Sequence, residues 1–137
     1  MNDSETVTEN WHVIFCKAKS DNILTPFLEK NFQHVYAMKE TEGGFLWHII
    51  NSTQSHISIS HVSVDDYPHP KLYAGHDSII VPVSVCIDPH SFSFRLCLFS
   101  CVEIVKGCLG ISSIKIQTPY QLYNYLRNYN GQHIQQT

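Results

Sequence analysis

Two capping-box patterns, Ser100-Cys101-Val102-Glu103 and Thr118-Pro119-Tyr120-Gln121, stand in the last third of a 137-residue chain whose earlier apolar runs are short, β-branched and aromatic. A Ser or Thr that caps a helix start, with Glu or Gln three residues later reaching back, marks the first turn of a helix. Strand-like segments first and helices last is an α+β order, not the alternation of βα units. The chain is therefore expected to fold as an antiparallel β-sheet packed against helices.

The strand candidates are Trp11–Lys17, Gln33–Glu40, Phe45–Asn51, Ser55–Val64 and Asp77–Cys86. Ser55–Val64 alternates Ile or Val with polar residues, the period of a half-buried strand. Pro82 inside the last candidate suits an edge strand or a bulge. Thr41-Glu42-Gly43-Gly44 is a hairpin turn signal between the second and third strands. Asp21–Lys30 reads as a loop or a short helical turn, with Pro26 after a Thr25 N-cap, and the proline-containing Asp65–His76 reads as a loop. The first helix runs from Cys101, behind a Ser100 N-cap, to Cys108 or Leu109 and stops at Gly110. The second has Thr118 as N-cap and Pro119 at N1, and ends near Tyr129 before Asn130-Gly131. Leu122, Tyr125, Leu126 and Tyr129 share one of its faces. One domain is expected over 11–129, between loose polar tails at 1–10 and 130–137.

Composition narrows the function classes. An apolar content of 43% is that of a folded domain. A net charge of −3 with scattered basic residues gives no nucleic-acid footprint. No run reaches the length of a membrane span. Five cysteines, an odd number, and a polar N-terminus without an apolar leader point to free thiols in a reducing compartment. Zinc ligands come as two short pairs. Cys97 and Cys101 have a permitted spacing but lack a turn between them, and His56 and His61 would face opposite sides of a strand. No metal and no cofactor are expected. Gly43-Gly44 stands alone and is no phosphate loop.

The candidate chemistry lies at Cys101. A thiol in the first turn of a helix sits at the positive end of the helix dipole, which favours the thiolate. If Glu42-Gly43 is a two-residue loop, His34 stands opposite Asn51. Tyr36, Met38, Phe45, Trp47 and Ile49 then share their face, and directly opposed side chains interact. Cys101 would be the nucleophile, His34 its base, and Asn51 the group that orients the imidazole. A loop at Gly43-Gly44, or one of four residues, would bring Ser52 or Thr53 toward His34 instead. Cys16, Cys86 and Cys97 read as core thiols, and Cys108 as a core residue two turns after Cys101.

The His that opens a strand, a polar residue one hairpin later and a Cys that opens a late helix make the chain similar to the circularly permuted, papain-like branch of the NlpC/P60 superfamily, whose layout the lecithin:retinol acyltransferase-like proteins share. Phe99–Ile111, Thr118–Tyr123, Phe32–Ala37 and the Trp11–Phe15 strand further resemble small uncharacterised proteins of tailed phages and prophages. The likeness spans about Trp11 to Leu126. It implies a cysteine hydrolase acting on a peptide or amide bond, with Cys101 and His34 in the family's roles and Asn51 as third member by position. Ser100 departs from the Asn that acyltransferase-like members tend to carry there, and no membrane-anchoring tail is seen, which favours hydrolysis over acyl transfer to lipid. The resemblance suggests a cell-wall peptide or a phage or host protein as substrate, in the host cytoplasm or on a virion. The competing expectation is a non-catalytic phage structural or assembly module that docks through its Tyr-rich last helix.

Overall fold

The computed structural model describes residues 7–17, 28–41, 43–52, 56–87 and 100–128. The expected turn at Thr25-Pro26, Cys97 and Tyr129 lie outside them. The elements are β1 (Val7–Cys16), β2 (His34–Glu40), β3 (Leu46–Ser52), β4 (Ile57–Ser63), α1 (Pro70–Ala74), β5 (Ile79–Ile87), α2 (Ser100–Leu109) and α3 (Pro119–Asn128). The strands form one antiparallel sheet in the order β4-β3-β2-β1-β5. The domain is α+β, as the segregation of strand and helix signals implies.

β1 begins earlier than its side chains suggest. Val7–Asn10, expected in a loose tail, pair with Ser84–Ile87 of β5. The ladder is built from backbone groups, so polar side chains do not prevent it. Among the described strands β5 stands at the edge and carries Pro82 opposite His12, and an edge strand tolerates a missing N–H. Between β4 and β5, where a loop was expected, Pro70 opens the single turn of α1.

Alternation along the strands makes two apolar layers. Trp11, Val13 and Phe15 of β1 and Val35 and Ala37 of β2 face α2 and α3, meeting Val102, Val105, Leu109, Leu122 and Leu126. Ile14, Tyr36, Met38, Trp47 and Ile49 face the other way, toward Tyr67 and Ala74. α2 rests chiefly on β2 and β3. That leaves β4's share of the helix-side face open. Ile57 and Ile59 are 52% and 60% exposed, while Ser58 and Ser60 are partly buried. The strand alternates as expected, but its Ile residues face solvent, because no helix lies over them to the extent that α2 covers β2.

The end of α2 and the start of α3 follow local rules. Gly110, at φ 70°, takes the left-handed conformation that stops α2, and the Ile111 N–H donates to the Lys106 carbonyl at 2.9 Å. α3 has the complete reciprocal cap: the Gln121 N–H donates to Thr118 Oγ1 at 3.2 Å, and the Thr118 N–H to Gln121 Oε1 at 3.1 Å. The Glu103 carboxylate of the first pattern bonds forward to Lys106 Nζ at 3.2 Å, an ion pair buried on both sides. Lys106 also donates to the Ile116 carbonyl at 3.1 Å, tying α2 to the segment before α3. No helix among the described residues is long and apolar enough to cross a membrane.

Candidate functional site

The hairpin register differs from the two-residue-loop reading. Thr41 pairs with Leu46, its N–H donating to the Leu46 carbonyl at 2.8 Å, and Gly43 and Gly44 both have positive φ in the turn between. Glu40 therefore stands opposite Trp47, and Ala37 opposite Ile50. The pairing is displaced by two residues, and because side chains repeat every two residues the faces are unchanged. His34 and Asn51 become diagonal neighbours on the layer of Tyr36 and Trp47. They bond directly, with 2.6 Å between His34 Nε2 and Asn51 Oδ1. Diagonal neighbours are within reach of long polar side chains. An amide oxygen only accepts, so Nε2 carries the proton and the lone pair of the neutral ring sits on Nδ1. The Asn thus fixes the tautomer that leaves Nδ1 as the base.

Cys101 lies in the first turn of α2 and is 8% exposed. Two turns later, Cys108 is within the fields of Lys39 and Glu9, at the end of the sheet away from His34. Cys101 is packed in the layer of Val35, whereas His34, the residue before it, belongs to the layer of Tyr36. The sheet brings His34 and Asn51 together on one face, and Cys101 packs on the other. His34 is the first residue of β2, paired with the last residue of β1, so it stands at the rim where the two faces meet.

The strand pairing also places a thiol that sequence reasoning assigned to the core. Cys16 is the direct partner of His34 across β1 and β2, and it packs on the same layer as Ile14 and Tyr36. It is partly buried. Burial first, then the charges of Cys16 and Tyr73, push the Tyr36 phenol well above the ordinary tyrosine range. The signal that could have revealed Cys16 is its position at the end of a strand rather than in its middle. Cys108 is partly buried, and desolvation pushes it up to about 11, so it is a poor thiolate source.

Beyond the imidazole, Tyr36, Tyr73 and Tyr67 form an edge-to-face aromatic run with centroids 6.4 and 5.4 Å apart. The tyrosines of α3 turn largely inward: Tyr123 packs at 4.8 Å from Phe32 and 5.5 Å from Phe15, and Tyr125 lies against the core. Tyr120 is the one in α3 counted among the exposed large side chains. Among the described residues, no three His, Cys, Asp or Glu side chains converge as a metal site. No family model, curated protein or solved structure matches this chain.

Proposed function

We propose that the chain is a thiol hydrolase of the circularly permuted papain-like kind, acting on a peptide or amide bond. The observation that carries this reading is the 2.6 Å bond from His34 Nε2 to Asn51 Oδ1, which holds an imidazole in the tautomer a general base needs. Cys101 is the nucleophile. His34 Nδ1 takes the thiol proton, and the thiolate attacks the carbonyl carbon. The imidazolium returns the proton to the leaving amine, and water, deprotonated by the same ring, releases the acid from the thioester. The helix dipole favours the thiolate at Cys101. A cell-wall peptide or a phage or host protein is the substrate class that the phage-protein resemblance suggests.

A second assignment of the nucleophile has its own support: Cys16 stands directly opposite His34 on one face. One experiment separates the two. Iodoacetamide labelling near neutral pH, mapped by mass spectrometry, should modify Cys101 faster than Cys86 and much faster than Cys108. His34→Ala should slow Cys101 at least tenfold, and Asn51→Ala should slow it less. If Cys16 instead holds the fast, His34-dependent thiol, the nucleophile is Cys16 and the base is unchanged. If neither thiol responds to His34→Ala, hydrolysis is wrong, and the fold serves as a non-catalytic interaction module.

A further inference from the structure

We infer that His48 and His61 form a two-imidazole clamp for a divalent transition metal of the nickel and copper class, on the open helix-side face of the sheet and separate from His34. The two residues are direct partners across β3 and β4. His48 Nδ1 and His61 Nε2 are 2.8 Å apart, with ring centroids at 4.7 Å. One nitrogen now donates to the other. Moving the protons to His48 Nε2 and His61 Nδ1 leaves a lone pair on each of the two facing nitrogens, and a turn of the exposed rings aims both at one ion between them.

Two nitrogens about 2.0–2.1 Å from one metal stand about 2.9 Å apart at a right angle and about 3.3 Å apart at the tetrahedral angle. The 2.8 Å between the rings is a hydrogen-bond distance, so an ion that replaces the shared proton needs the smaller opening for the right angle, the cis arrangement of square-planar or octahedral sites. Tetragonal nitrogen sites are those of Ni²⁺ and Cu²⁺, while Zn²⁺ in tetrahedral sites would have to part the rings. Calcium and magnesium need oxygen donors, and none of the side chains beside the pair on this face is a carboxylate: the neighbours are Ile50 with Ile59 and Leu46 with Ser63.

The electrostatics agree with the geometry. The groups that face His48 are His61 and Lys39. Lys39, opposite His48 on β2, is drawn away from the clamp. Its Nζ pairs with Glu9 at 3.1 Å and sits 4.9 Å over the Trp11 ring. The pair is open to solvent, so the remaining coordination positions are filled by water or by an exchangeable ligand. A bound ion also ties the edge strand β4 to β3.

The test is calorimetric titration of the full chain with Ni²⁺ alone, chosen because Cu²⁺ oxidises thiols. One equivalent should bind to the clamp more tightly than Zn²⁺ does there, and His48→Gln or His61→Gln should each weaken that event at least tenfold. His76→Gln, in an exposed turn outside the sheet, should leave it unchanged. Circular dichroism of both variants confirms that the fold is kept. Equal Ni²⁺ affinity in the wild type and both clamp variants, or loss on His76→Gln instead, would overturn the assignment.

Discussion

At the scale of single residues, histidine is the group whose charge state matters most here. His12 resists protonation because burial strips its water, with Glu40 opposing, and its ring stands edge-on to Trp47 at 5.5 Å. His48 resists it through burial, then through His61 and Lys39. Both folded-state values lie below the unfolded value, so the unfolded chain binds more protons in the acid range. Stability is then full above the unfolded value of about 6.5 and declines as the pH falls through it toward the lowered folded values. Thermal melts should give a lower midpoint at about pH 5.5 than at about pH 7. His12→Phe keeps the edge-on ring and removes the titration, so its midpoint should fall less over the same interval. A fall equal to that of the wild type would remove His12 as a source.

At the scale of elements, the sequence was legible where the signal is local. The cap at Thr118 is a four-residue pattern whose hydrogen bonds close on themselves, and the structure shows both of them. Thr118→Ala should cost about 1 kcal/mol, measured by denaturant titration, with little change in slope; a cost near zero would mean that tertiary packing alone starts α3. The strand segments were legible too, because β-branched and aromatic runs mark them one by one. Their pairing was not. Which residues close the β2–β3 turn depends on the positive φ of Gly43 and Gly44, and this set the register two residues away from the two-residue loop. The site pair survived that displacement because a shift of two keeps His34 and Asn51 on one face. Cys16 was missed because its nearness to His34 comes from β1 pairing with β2, a contact between distant positions. The outward face of β4 was hidden for a similar reason: alternation tells which residues share a side, not which side a helix will cover. Lys106 shows the same limit in α2, where helical spacing does not say that an amine is buried. Lys106→Ala leaves the Glu103 carboxylate buried without its cation, which should cost about 3–5 kcal/mol, whereas replacing Glu103 and Lys106 together by apolar residues of similar volume should cost much less.

At the scale of the whole molecule, two apolar layers share one sheet, and this fixes how the protein unfolds. Each layer holds one of the two tryptophans: Trp11 faces α2 and α3, and Trp47 lies on the opposite side with Tyr36 and Met38. The layers are made by alternate residues of the same strands. β1 sends Val13 and Phe15 to one and Ile14 to the other, and β2 divides Val35 and Ala37 from Tyr36 and Met38 in the same way. Losing the packing of one layer would leave the strands with one uncovered apolar face and half their side-chain support, in a sheet whose ladders are long-range pairings. Neither layer has a separate backbone on which to persist, so the expected transition is a single cooperative one. Trp47→Phe leaves fluorescence that reports the helix side, and Trp11→Phe leaves fluorescence that reports the other. Within each variant, urea unfolding followed by that fluorescence should coincide with unfolding followed by far-ultraviolet circular dichroism. A fluorescence midpoint in Trp47→Phe well below its dichroism midpoint would mean that α2 and α3 detach before the sheet melts. Cys101, carried on α2, would then be held less firmly than the sheet is held together.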